Sequence, residues 1–149
     1  MVLTGARQTG KTSLLRRLFP GRNFVSLDLP SEAELAEKDP RTFLARHPPP
    51  LVIDEVQYAP NVFRHIKVAV DAQRSRPGQL LLTGSQKFTL MREIADSLAG
   101  RVEILELEPL SRKEISAAWR DLSMEEWILR GGFPELYQNR DLDSYSFYR

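Results

Sequence analysis

The stretch Gly5 to Thr12 reads GARQTGKT and has the spacing G-x-x-x-x-G-K-[ST], directly after the apolar residues Val2 and Leu3. No other feature constrains the fold as strongly. A loop of this kind needs a strand to deliver it and a helix to follow it, because its anion seat is built from backbone N–H groups and the positive end of that helix. The chain supplies both: SLLRRLF follows, with Leu14, Leu15 and Leu18 at helical spacing. Gly5 and Gly10 allow dihedrals and a close approach that a Cβ blocks. In this pattern Lys11 reaches the β- and γ-phosphates as a point charge, and the Thr12 hydroxyl is a Mg²⁺ ligand. Gly5, Ala6, Arg7, Gln8, Thr9, Gly10, Lys11, Thr12 and Ser13 are therefore the expected nucleotide-binding residues. The bland alternative, an ordinary glycine-containing turn before a helix, is weakened by the flanking strand and helix.

Apolar runs alternate with amphipathic ones along most of the chain. The pattern predicts strands over residues 1–4, 24–29, 51–54, 79–83 and 102–107. It predicts helices over 11–19, 31–37 with an extension from Pro40, 61–74 and 87–98. Val62, Phe63, Ile66 and Val70 share one face of the third helix; Phe88, Met91, Ile94 and Leu98 share one face of the fourth. Ser31-x-x-Glu34, Ser111-x-x-Glu114 and Ser123-x-x-Glu126 read as capping boxes. Residues 51–53 and 80–82 lack polar alternation, as strands buried on both faces do. Such alternation implies an α/β fold, a mostly parallel central sheet with helices on both sides. After Pro109 the composition changes. Two helices are expected over 111–119 and 123–130, then a Gly131-Gly132-Phe133-Pro134 turn and an aromatic tail of Tyr137, Tyr145, Phe147 and Tyr148 that begins another helix. Residues 1–109 are expected to form the nucleotide-binding core and 110–149 a small helical annex. Pro48-Pro49-Pro50 is a stiff linker into the third strand.

The apolar run Leu51-Val52-Ile53 ends in Asp54-Glu55, and in this topology that end faces the phosphate loop. Asp54 is placed to hold Mg²⁺ through its water shell. Glu55, one residue on, is placed to polarise a water for attack on the γ-phosphate. Two acids at a strand end are common on any surface, but beside a phosphate loop they favour hydrolysis over transfer to a metabolite. Leu81-Leu82-Thr83-Gly84-Ser85 ends in hydroxyl residues. Thr83 or Ser85 is placed either to bond the γ-phosphate or water, or to cap the next helix; Ser85 lies furthest into the loop. Arg101 is either a solvated charge or a stabiliser of transition-state charge, on its own site or a neighbour's. His47 and His65 are isolated and read as surface residues. Trp119, Trp127 and Phe133 read as annex core.

A chain of 149 residues can bury a core of its own, and a net charge of +1 gives no electrostatic case for a broad nucleic-acid or membrane surface. With no cysteine, disulfides and thiolate metal sites are excluded, which fits a reducing compartment. No apolar run approaches the roughly 20 residues that cross a bilayer, and the amino end reads as a strand, not an export signal. A cytoplasmic protein with no membrane partner is expected.

The blocks GARQTGKTSLLRRLF, FVSLDLP, LVIDEVQYAPNVF, LLTGSQKF, LAGRVEILELEPLS and GGFPE occur in that order. They resemble the prokaryotic AAA-type ATP-binding proteins that usually carry a C-terminal domain of unknown function. The resemblance implies a P-loop NTPase fold of the AAA-like kind, a three-layer αβα arrangement, with ATP and Mg²⁺ as cofactors and hydrolysis of ATP to ADP and phosphate. It implies Walker-A roles for Lys11 and Thr12, Walker-B roles for Asp54 and Glu55, a sensor role for Ser85 and an arginine role for Arg101. Against that family the chain looks truncated at both ends. The alternative reading is a nucleotide-gated binding or scaffold module with little or no turnover. Expected partners beyond ATP are further copies of the chain and an unnamed protein or DNA.

Overall fold

The apolar runs become five short parallel strands: β1 (Val2–Thr4), β2 (Asn23–Ser26), β3 (Leu51–Asp54), β4 (Leu80–Gly84) and β5 (Ile104–Glu106). They lie in the order β2-β3-β4-β1-β5, with Val2 level with Leu82 and Ile104, and Ile53 level with Val25 and Leu82. The structure, a computed structural model, describes every residue but Arg140 and Arg149, and every side chain but theirs and those of Lys87, Phe88 and Thr89. The expected place of Phe88 on its helix, and a helix running on through Arg149, lie outside the described residues. Two compact units are present: Met1–Gly5 with Lys11–Glu106, and Ala6–Gly10 with Leu107–Arg149.

In the first unit, α1 (Lys11–Leu18), α2 (Pro30–Lys38), α3 (Pro40–Arg46), α4 (Val62–Ala72) and α5 (Lys87–Ser97) connect the strands. The connection through α1 runs from β1 out to the β2 edge, and all later ones step back the other way. Crossovers between parallel strands are almost always right-handed. Hence α1 lies on one face of the sheet and α2 to α5 on the other, where α2 meets α3, α3 meets α4 and α4 meets α5. This is the expected α/β architecture. Because β1 and its neighbour β4 send their helices to opposite faces, a crevice opens at their carboxyl ends, the switch point at which such sheets seat ligands.

Every residue of β3 and β4 is buried. They pack with Val2, Phe43, Phe63, Ile66 and Leu90 in one apolar core, each side chain contributing about 1.5–3 kcal/mol. Local chemistry shifts several expected boundaries. Pro30, with its preset φ, starts α2 one residue early; Leu29 is the N-cap, and the Ser31–Glu34 capping box does not form. The extension from Pro40 is a separate helix, begun by the Asp39 side chain accepting from the Thr42 N–H at 3.1 Å. Leu18 ends α1 at 59% exposed, so Leu15 carries that helix's burial. Among the described side chains of α5, Leu90 and Ile94 are buried, as is Leu98 at its C-cap, with Met91 at their margin, so Leu90 belongs to the core face. β5, at the free edge of the sheet, is exposed throughout and half the expected length. His47 is not a surface residue: it is half-buried, its ring 4.9 Å from Phe43 and its Nε2 2.9 Å from Glu32 Oε2. His65 is exposed.

The second unit holds α6 (Arg112–Ser116), α7 (Met124–Arg130), α8 (Glu135–Gln138) and α9 (Ser144–Phe147). The capping boxes at Ser111 and Ser123 both form, each serine accepting from the glutamate N–H three residues on and each glutamate returning to the serine N–H. Trp119 packs edge-on against Tyr137 at 5.4 Å, and Phe133 meets Phe147 and Tyr148 at 5.7 and 5.8 Å. Of the aromatic tail, Tyr137 and Phe147 are half-buried, while Tyr145 and Tyr148 are exposed. No helix among the described residues is long and apolar enough to cross a membrane.

Candidate functional site

Between β1 and α1 the backbone enters the left-handed region at Gly5 (φ 143°) and Gly10 (φ 91°), and at Gln8 (φ 62°), which does so despite its side chain. Thr9 Oγ1 donates to the Ala6 carbonyl at 2.9 Å and closes the loop on itself. Lys11 is buried, and its Nζ donates to the Gly5 carbonyl at 3.0 Å. Ala6, Arg7, Gln8 and Ser13 are exposed.

One residue further on, the Thr12 hydroxyl lies 3.0 Å from both carboxylate oxygens of Asp54, at the end of β3. Thr83, fully buried near the end of β4, donates its hydroxyl to Asp54 Oδ1 and accepts the Glu55 N–H at 3.0 Å. Asp54 is only 4% exposed. A buried carboxylate is costly unless hydrogen-bonded, and these two hydroxyls meet that need.

Glu55 takes a left-handed conformation (φ 55°, ψ 46°) that breaks the strand and starts a 3₁₀ turn over Val56–Tyr58. The turn brings Gln57 back toward the strand ends. Its Nε2 donates to Glu55 Oε2 and lies 3.5 Å from Ser85 Oγ. Ser85 Oγ in turn donates to the same Glu55 oxygen at 3.0 Å. Gln57 is buried, and its Oε1 has no hydrogen-bond partner, an arrangement that costs about 1–3 kcal/mol. The seat exists because residue 84 is glycine: a Cβ there would stand 2.7 Å from Gln57 Oε1 and 2.8 Å from Leu90 Cδ2.

Thr12, Asp54, Glu55 and Ser85 therefore share one bonded cluster, with Lys11 next to it in the chain. Neither Thr83 nor Ser85 caps α5, whose N-cap is Gln86 with no side-chain bond. Arg101 does not join the cluster. It precedes β5, at the amino ends of the strands, where Nε donates to Asp71 Oδ1 at 2.8 Å and Nη1 to the Ala99 carbonyl at 3.0 Å. Hydrogen bonds from Arg101 first and Arg74 second hold the Asp71 carboxyl down at about 2, and the same contact raises Arg101. Action of Arg101 on its own chain's cluster does not fit this placement, because the strands' length intervenes. Gln57 is a residue that sequence reasoning missed, and Thr83, named there beside Ser85, was not expected to bond Asp54. Their only signal was position: a glutamine two residues past the acids, and a threonine inside an apolar strand.

The fold and the loop define a parallel α/β nucleotide-binding protein. A family model described as an AAA domain matches residues 1–116, and the chain belongs to that family. It is similar to uncharacterized proteins of Mycobacterium bovis and Mycobacterium tuberculosis, each 31% identical over 150 residues that cover 100% of this chain and 33% of the relative. The chain spans about a third of the length of these relatives.

Proposed function

We propose that the chain binds ATP with Mg²⁺ and hydrolyses it to ADP and phosphate. The observation that carries this reading is the Thr12 hydroxyl 3.0 Å from both oxygens of Asp54, with Glu55 next in the chain. The donor set fits the metal. Thr12 and Asp54 offer a hydroxyl and a carboxylate, and the described residues include no group of three or more His, Cys, Asp or Glu that could cage an ion. Mg²⁺ suits such a site because it keeps several waters and takes one or two carboxylates plus substrate phosphates. When bound, it supplies charge that offsets the negative charge developing on the phosphate oxygens.

In this reading the loop N–H groups of Gly5 to Ser13 hold the phosphates and Lys11 neutralises their charge. Glu55 orients a water in line with the γ-phosphate and takes its proton as the new P–O bond forms and the bond to ADP breaks. Ser85 bonds the γ-phosphate or that water. Thr83 keeps Asp54 in register. Arg101, at the far ends of the strands, serves only a neighbouring copy's site in a homo-oligomer. Residues 1–109 are the nucleotide-binding core of a cytoplasmic protein, and 110–149 the annex that meets an effector, a protein or DNA.

Single-turnover assay of phosphate release, with nucleotide affinity measured by calorimetry, tests the reading. Wild type should release phosphate, and Glu55→Gln should bind ATP within about threefold of wild type yet lose about 10²–10⁴ in rate, the usual range for removing a general base. Binding without phosphate release by wild type overturns hydrolysis and leaves the nucleotide-gated module.

A further inference from the structure

Gln57 buries a carboxamide whose nitrogen faces Glu55 and whose oxygen has no hydrogen-bond partner. An apolar side chain of similar length would fill the same space without leaving an acceptor unpaired. The amide orientation is not arbitrary. Turning it over would aim its oxygen at the Glu55 carboxylate, so the ion selects the nitrogen. Gly84 reinforces the arrangement, since any Cβ at residue 84 would meet the Gln57 oxygen at 2.7 Å. Two features thus converge on one contact: the 3₁₀ turn, begun by the left-handed Glu55, that returns Gln57, and the missing side chain at residue 84.

We infer that Gln57 is a positioning residue for Glu55 in ATP hydrolysis, an inference that rests on the function proposed above. Both hydrogen bonds to the Glu55 carboxylate, from Gln57 Nε2 and from Ser85 Oγ, end on Oε2. They fix the rotation of the carboxylate and leave the lone pairs of Oε1 to accept a proton from the attacking water. The contact between Gln57 and Ser85, at 3.5 Å, ties this orientation to the end of β4. A ligand that engages the Ser85 hydroxyl would therefore act on the same glutamate. Gln57 itself touches no substrate. Its effect is on the rate of the bond-breaking step and not on nucleotide affinity.

The test is Gln57→Met, which keeps the length and removes the amide. Thermal midpoint, ATP affinity, KM and kcat are compared with wild type and with Glu55→Gln. We expect an unchanged or higher midpoint, affinity and KM within about twofold, and kcat down about tenfold or more, the size of effect that follows from misplacing a catalytic base. Ser85→Ala added to Gln57→Met should cost less than the product of the two separate losses, because both act on one oxygen. If Gln57→Met turns over like wild type, Gln57 is structural and the inference falls while hydrolysis stands. If wild type releases no more phosphate than Glu55→Gln, the parent reading falls and takes this one with it. Should Gln57→Met fail to fold, the Gln57 side-chain amide resonances decide the matter in the full chain. They should move in both Glu55→Gln and Ser85→Ala; resonances unmoved in either overturn the contact.

Discussion

The two ends of the same strands treat polar groups in opposite ways. At the carboxyl ends Asp54, Gln57 and Thr83 are 4%, 7% and 0% exposed; Asp54 and Thr83 are bonded to each other across two strands, and Gln57 to Glu55 and Ser85. At the amino ends Asp71 and Arg101 have side chains 32% and 26% exposed. They stand beside an open cleft of about 1050 Å³ whose lining includes Leu44, Val70 and Pro77. That cleft is lined also by Arg22, Arg74, Arg76, Arg101 and Glu103, and Thr12, Asp54, Glu55 and Ser85 do not line it. Cavity size is a poor guide here because a phosphate seat is made of exposed amides and needs no deep pocket. Desolvated, mutually bonded side chains are the better guide, since each is expensive unless its partners are in place.

The largest effect that separates the two ends is expected from Lys11→Ala. Removing a buried ammonium from a phosphate seat deletes charge-assisted contacts worth about 3 kcal/mol, so ATP affinity should fall about 100-fold or more. Calorimetry with and without Mg²⁺ measures it. Affinity within threefold of wild type would mean that nucleotide does not bind at the loop, and the carboxyl ends would lose their claim over the cleft.

Thr83→Val sharpens the contrast in stability. The methyl keeps the volume while the hydroxyl that donates to Asp54 and accepts from the Glu55 N–H is lost. Leaving buried groups unsatisfied costs about 1–3 kcal/mol, read as a lower midpoint in urea with an unchanged slope. A midpoint equal to that of wild type would mean that Asp54 finds other partners at no cost.

Much of the first unit could be read before the coordinates, for a reason visible in particular residues. Residues 51–53 and 80–82 are apolar throughout because both faces of their strands are covered, and such runs have no other reading beside amphipathic helices. The loop and the acids stood out by their spacing, whereas Ser85 was one of two hydroxyls, with Thr83, between which spacing did not decide. What escaped was geometry that depends on turns. Nothing local announces that Glu55 is left-handed, and only that turn makes Gln57 a neighbour of the acid. The Ser31 capping box failed for a similar reason, since Pro30 next to it starts the helix first. Arg101 shows the converse: a suggestive GR pair whose position in the sheet, not its sequence, decides which site it can reach. In the second unit the capping boxes were legible because they are local, whereas the ring contacts of the tail join residues distant in sequence.

The smallest effect belongs to the amino ends, in Asp71→Asn. Asp71 sits in the last turn of α4, where the helix dipole disfavours an acid; Arg101 and Arg74 offset that by holding its carboxyl at about 2 against an ordinary 3.8. A folded-state value below the unfolded one contributes stability above the unfolded value and loses it as pH falls through the folded value. The difference between wild type and Asp71→Asn should therefore be constant from neutral pH to about pH 5, shrink between about pH 4 and 2, and vanish below. Because these side chains are partly exposed, the difference should also be small and should fall with added salt. Urea midpoints across that pH range, at low and high salt, measure it. A difference that persists unchanged below pH 3 or resists salt would mean that Asp71 does not act through exposed ion pairs, and the contrast between the two ends of the sheet would no longer hold.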